Sequence, residues 1–435
     1  MRSGTTKPPD KDEPSENSGP VDTKSSAPEN IKGLASLKFE GFRLLFWSTP
    51  FGNIGNSMRT IVNAWQIYEI TGSSAQLGLA FLFQGIPGIF FSVFGGTLAD
   101  MFDRRKIINI SQGYQILSGV ALGFLTLSGH IHVWHIYVMT FLSSSIGSAA
   151  GPARRALITN LVPRSHLLNA TTLQTSVQQA TQIAGPTLAG FILAAFGPAP
   201  AYFINALCII PGYYAIMMLK DILVQKDTGK KEKVRLNLGS IFGGLVFAWQ
   251  TQVLLFILLM DTVTNVLGYY QYMMPVIAKD ILNAGPIGLG ILLSATPFGS
   301  FFGYALILAL GNLKRKGLVM VITVIVYNVF LFAFAQSKVF WLSLLILGAM
   351  GAVDAFSRAI RNTLLQLMAP DEKRGRVVAL SQIFAGGGNS MGGAYLGFMS
   401  EAIGIQKALA IGAVISAGFA VSVGAFVKRV RKFDL

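Results

Sequence analysis

Of the 435 residues, 52% are hydrophobic and only 13% are charged, against about 25% charged in soluble domains. That is too little charge to coat a water-facing surface, which excludes an ordinary soluble enzyme, and the lone Cys208 excludes an intrachain disulfide. The net charge of +15 sits in short Lys/Arg clusters between apolar runs, a pattern of membrane orientation rather than nucleic-acid binding; no nucleic-acid partner is expected.

In chain order, residues 1–38 are rich in Pro, Ser, Glu, Asp and Lys and predict a disordered tail. No apolar core follows its first basic residue, so it does not read as a signal peptide. Twelve apolar segments come next, near 42–70, 76–99, 107–129, 133–158, 167–196, 199–219, 251–276, 287–311, 317–337, 340–368, 375–402 and 405–427. Each is long enough for the ~20 residues of a bilayer-spanning helix. The shorter, amphipathic stretch 238–250 predicts a helix lying on the inner surface. The expected fold is an all-α integral membrane protein with twelve transmembrane helices.

The loops predict orientation. One side holds Arg104, Arg105 and Lys106, then Arg154, Arg155 and Arg164, then the 220–235 stretch, Lys314 to Lys316, Lys373 to Arg376, and Lys428 to Lys432. The other side holds only Lys279, Lys338 and Lys407 among Lys and Arg. The positive-inside rule makes the first side cytoplasmic, with both termini inside, as in the plasma (inner) membrane of a bacterium.

The segments form two sets of six. Arg154 and Arg361, Pro163 and Pro370, Gly185 and Gly392, Gly190 and Gly397, and Gly96 and Gly303 are all separated by 207 residues. Five matches at one offset indicate an internal repeat, and two six-helix pseudo-repeats of the same topology suggest a transporter with its site between them. The expected organisation is a 1–38 cytoplasmic tail, a 39–220 half, a 221–250 linker, and a 251–435 half with a short basic tail.

Gly96-Thr-Leu-Ala-Asp100-Met-Phe-Asp103-Arg104-Arg105-Lys106 resembles the loop signature of the major facilitator superfamily, with Met101 and Asp103 departing from it. With Ala64-Trp65-Gln66-Ile67-Tyr68-Glu69, Pro152-Ala153-Arg154-Arg155, Gly185-Pro186 and Arg374-Gly375-Arg376-Val377, residues 40–430 resemble one subgroup, the drug and siderophore exporters called transmembrane secretion effectors. The resemblance implies a central cavity lined by crossings one, four, seven and ten. It also implies a cytoplasmic gate at Gly96, Asp100, Arg104, Arg105, Arg154, Arg155 and Arg376. Asp100 is expected to accept from Arg154 or Arg155 and to sit near the start of the eleventh helix.

A charge at mid-helix costs about 3 kcal/mol to insert and marks a cavity or a partner. Arg59, Asp261 and Asp354 are the three candidates, and all fall on the cavity crossings. Asn56, Arg59, Asn63 and Gln66 lie within an arc of about 80° at ~100° per residue; a cavity wall is favoured over a buried helix–helix seam. Asp261, with Thr264 and Asn265 beside it, is the favoured proton-coupling site, with Arg59 the obvious neighbouring cation. Asp354 and Arg358, one turn apart, read first as a structural pair. Asn169, Thr172, Ser176 and Gln179 read as packing. Tyr269, Tyr270, Tyr272, Met273 and Met274 read as an interfacial belt, with an adaptable ligand surface as the alternative.

His130, His132 and His135 lack a carboxylate or Cys nearby and are a weak metal set. No P-loop occurs, so neither a metal nor a cofactor is expected. The expected function is secondary active transport: proton-coupled efflux of an amphiphilic or hydrophobic small molecule by a monomer in the lipid bilayer. The alternatives are siderophore export and, from another class, a non-transporting receptor or scaffold.

Overall fold

In a hydrocarbon slab each backbone N–H and C=O must find its partner inside the chain, and helices do this within one segment. The computed structural model describes residues 33–219, 251–311 and 315–427, with Gly4 and Trp249. It contains twelve long helices among them: α1 (Glu40–Thr71), α2 (Ser74–Met101), α3 (Arg104–Leu127), α4 (Val133–Leu161), α5 (Leu167–Phe196), α6 (Pro198–Met218), α7 (Gln252–Gly268), α8 (Gly285–Leu310), α9 (Lys316–Gln336), α10 (Phe340–Met368), α11 (Asp371–Ile403) and α12 (Ile405–Phe426). Six of these, α6–α10 and α12, are long and apolar enough to cross a membrane. Among the others, α1 carries a polar stripe of Asn53, Asn56, Arg59 and Asn63.

The two sets of six share one contact plan. In the first, α1 packs on α5 and α6, α2 on α4, and α3 on α4 and α6; in the second, α7 packs on α11 and α12, α8 on α10, and α9 on α10 and α12. Between the sets, α2 lies along α11 and α5 along α8. Those seams need small residues. A Cβ on Gly190 would fall 3.0 Å from the Gly290 Cα, and one on Gly397 would fall 2.6 Å from the Gly78 Cα. Gly190 and Gly397 are partners at the 207-residue offset.

Gly197 and Gly404 are a further pair at that offset and make the same turn in each set, with φ/ψ of +78°/−177° and +85°/+147°, a region essentially restricted to glycine.

Three features differ from the expectation. The tail was expected to run disordered to Lys38, but Ala35–Lys38 forms a 3-10 turn docked on α5, with the Ser36 N–H donating to Asn169 Oδ1 at 3.0 Å. The seventh crossing is not one helix: α7 ends at Gly268, and a 3-10 turn (Tyr270–Met273) and a π-helical turn (Ile277–Ile281) continue it. His132 and His135 are spent on the start of α4, where the His132 N–H donates to His135 Nδ1 at 3.0 Å. The 221–250 linker with its 238–250 helix, Trp249 aside, and the basic C-terminal tail lie outside the described residues.

Replacing Gly197 or Gly404 by Ala is expected to lower stability by about 1–3 kcal/mol each through backbone strain. Gly418→Ala, in mid-α12 where a Cβ meets nothing within 4 Å, is expected to be neutral. Thermal unfolding of the purified protein checks both.

Candidate transport site

A cavity of about 570 Å³ lies between the two sets of helices. Asn56 of α1 and Gln179 and Gln182 of α5 line one wall; α7 to α11 supply the other. Most lining side chains are polar, and two ion pairs stand on the wall: Asp261 of α7 with Arg361 of α10, and Asp354 with Arg358 one turn along α10. The two pairs carry no net charge. Arg361 keeps its Nε buried without a hydrogen-bond partner.

The break after α7 shapes this wall. Irregular backbone at membrane depth is tolerated where it is buried in protein or lines a cavity, and here it turns Tyr269 and Tyr270 inward. Tyr270 is buried and shares a 2.7 Å hydrogen bond with Thr296 of α8. Tyr304 of α8 and Tyr327 of α9 join them in the lining. Tyr272 stacks on Phe81 of α2. The tyrosines expected in an interfacial belt are therefore cavity and inter-set residues.

The face of the cavity closest to the loops at 72–73, 282–284 and 404 is shut. The Tyr68 hydroxyl donates to Asp280, Ser294 of α8 donates to the Ile183 carbonyl of α5 at 2.7 Å, and Glu401 of α11 accepts from Ser73 and Ser74. Towards the basic loops, the cavity face of α5 continues through Thr175 and Thr171, both exposed.

The polar stripe on α1 divides. Asn56 lines the cavity. Arg59 donates to Asn56 Oδ1 at 2.9 Å and borders a separate pocket of about 20 Å³. It is not the cation beside Asp261; Arg361 is. Asn63 and Gln66 are buried: both carbonyl oxygens accept from the Tyr202 hydroxyl, at 2.9 and 2.8 Å, and their amides donate to Thr140 and Thr126. They form the helix–helix seam rather than a cavity wall, because α3, α4 and α6 close around the C-terminal part of α1. Asn265 and Asp354 do line the cavity. Of the α5 stripe, Gln179 is a lining residue and not packing, while Thr172 and Ser176 are exposed.

At the expected gate, the side chains of Gly96, Asp100 and Arg376 lie outside the described residues. Arg154 donates to Thr49 Oγ1 of α1 at 2.9 Å, and Arg155 is exposed. Arg104 reaches the Ala156 carbonyl at 3.4 Å. Asp103 caps α3, accepting from the Arg105 N–H at 3.0 Å. Burial works to raise the Asp103 carboxyl, but its bonds to Arg105 outweigh this and hold it below the usual carboxylate range.

Residues 31–434 match the transmembrane secretion effector family. The chain belongs to that family. It is 23% identical over 407 residues to the multidrug efflux pump Tap of Mycolicibacterium fortuitum, covering 90% of this chain and 97% of Tap. Identity is also 23% over 369 residues to the enterobactin exporter EntS of Salmonella choleraesuis, covering 84% and 87%. A shorter match, 25% over 218 residues, takes in 50% of this chain and 51% of the MFS-type transporter YfiS of Bacillus subtilis. The fold resembles the crystal structure of the nucleoside transporter NupG, with TM-score 0.71 and 15% identity over 89% of this chain and 99% of that one. The chain is thus an MFS transporter with efflux pumps and a siderophore exporter among its relatives.

Breaking a buried ion pair from one side costs more than removing both partners. Asp261→Asn and Arg361→Met are each expected to destabilise by about 1–3 kcal/mol, and the double variant by less than their sum. A double-mutant cycle on thermal unfolding measures the difference.

Proposed function

We propose that the protein is a twelve-crossing secondary transporter of a bacterial plasma membrane, with both termini in the cytoplasm. It exports an amphiphilic small molecule in exchange for protons. The observation that carries this reading is the polar cavity between two repeated helix sets, with Asp261 and Arg361 paired on its wall. Such a cavity suits a ligand rich in hydrogen-bonding groups more than a purely hydrophobic one. The tyrosines offer flat apolar faces beside their hydroxyls, which fits an amphiphile. Siderophore export is a second reading, favoured by the likeness to the enterobactin exporter over most of both chains; Arg361, paired only with Asp261, would then meet an anionic group of the ligand.

In the proposed orientation the outer face is closed and the cavity faces the cytoplasm. Rocking of the two sets would open the other side. Asp261 takes a proton when Arg361 turns to the ligand, and loses it to the cytoplasm on return; proton entry and ligand exit then share one site. Asn56, Asn265, Gln179 and Gln182 hydrogen-bond the ligand, and Asp354–Arg358 holds α10 in register. Gly96, Asp100, Arg104, Arg105, Arg154, Arg155 and Arg376 belong to the cytoplasmic closure of the opposite state.

In proteoliposomes, Asp261→Asn is expected to exchange fluorescent amphiphiles down their gradient yet fail to accumulate them under an imposed pH gradient. Full pH-driven accumulation by that variant rejects Asp261 as the coupling residue and turns attention to Asp354. Orientation has its own check: a cysteine at Ser128 is expected to react with an impermeant thiol reagent outside intact cells, and one at Asp227 is not.

A further inference from the structure

Glu401 stands in the last turn of α11, exposed, at the face away from the basic loops. One of its oxygens, Oε2, accepts from the Ser73 hydroxyl at 3.0 Å, the Ser74 hydroxyl at 3.3 Å and the Ala75 N–H at 3.2 Å. Those donors form the start of α2, in the other helix set. The first turn of a helix has unpaired N–H groups and favours an anion, whereas the last turn disfavours one. At the end of its own helix Glu401 is badly placed as an anion; against α2 it is well placed. One turn below it, Gly397 meets Gly78 in the close backbone approach between α11 and α2. Parting the two sets at this face removes all three donors at once.

We propose that Glu401 is an external proton site that latches the outer face shut. Ionised, it caps α2 across the seam. Protonated, it gives up the charge that the start of α2 holds, and the outward-open state gains. Acid outside the cell therefore opens the cavity to the side from which protons enter, by a group separate from Asp261. The sign follows from the contact: the closed state stabilises the carboxylate, so closure is strongest at higher pH and weakens as pH falls through the carboxyl's titration.

The groups around the latch are few. From α1 come Tyr68 and Glu69, from α4 Tyr137, whose hydroxyl donates to the Gln76 carbonyl in the first turn of α2 at 2.9 Å, from the segment after α7 Lys279 and Asp280, and from α12 Lys407. Tyr68 and Asp280 bond each other, with Lys279 over the Tyr68 ring at 5.6 Å; they are a second contact across the same face. The first two turns of α2, Ser74 to Ala80, bring no charge.

The inference rests on the proposed orientation, and the test separates the two. The full chain, with Cys208→Ser and spin labels on cysteines replacing Ser128 and Lys338, is placed in lipid nanodiscs. Both label sites are exposed, one in each helix set. Electron–electron distance measurements report the outer separation. Lowering pH from about 7.5 to about 3.5, below the ordinary glutamate value of about 4.3, is expected to raise the ratio of long to short distances about threefold or more. Glu401→Gln is expected to give the acid distribution at both pH values. Ser73→Ala with Ser74→Ala keeps the carboxylate and removes two donors; it is expected to fall between the two, and it carries the test if Glu401→Gln does not fold. A parent-like pH response in Glu401→Gln overturns the proposal, as does a response abolished by Asp280→Asn and not by Glu401→Gln. If the Ser128 cysteine reacts only from the cytoplasm, the external placement falls even where the distances respond.

Discussion

A bilayer gives a charged side chain two tolerable places: beside an opposite charge, or facing water in a cavity. The Asp261–Arg361 pair takes both, and much of the architecture follows from it. Holding the pair requires α7 and α10 to meet behind one wall, with the α7 backbone broken just beyond to bring Tyr269 and Tyr270 round. The remaining helices close lipid out of that space. Arg59 is the exception: it donates to the neutral Asn56 of its own helix, and its Nε is buried without a hydrogen-bond partner among the described residues.

Close backbone approach is the second constraint. Between helices in lipid the hydrophobic effect offers no gain, so packing and small residues hold them. The glycines at the 207-residue offset show how the repeat uses this. Gly185 meets Ser57 of α1 where Gly392 meets Asn265 and Tyr269 of α7, and Gly190 meets α8 where Gly397 meets α2. Gly388 belongs to the same seam, against Asn265, whereas Gly386 faces open space. Flat glycine surfaces bring the sets together, and at one end polar bonds such as those of Glu401 with Ser73 and Ser74 cross between them.

Much of this was legible in the sequence because period, length and charge act locally. Helix positions follow from apolar runs, and the repeat follows from Arg, Pro and Gly at one spacing. The misreadings share a cause. Asn63 and Gln66 have the same helical phase as Asn56, yet phase cannot say which neighbours close over the C-terminal part of α1. Arg361 lies 100 residues from Asp261, so no local rule pairs them; its place as the repeat partner of Arg154 was the available signal. Gly268 sits in an apolar run that reads as continuous helix, which hid the break and misplaced the tyrosines.

The repeat also shows where the two sets have diverged. Arg154 on α4 and Arg361 on α10 occupy equivalent positions, and each reaches the first helix of its own set. In the first set the acceptor is the neutral Thr49 hydroxyl, which also accepts from Gln174 at 3.0 Å. In the second it is the carboxylate of Asp261. A hydroxyl between two donors has no proton chemistry near neutral pH; in this state that corner braces α1 against α4 and α5. A carboxylate in the equivalent corner can take up a proton and is paired with a cation. Arginine at the equivalent position thus braces helices in one set and pairs with a carboxylate in the other, and it is the acceptor that sets the difference.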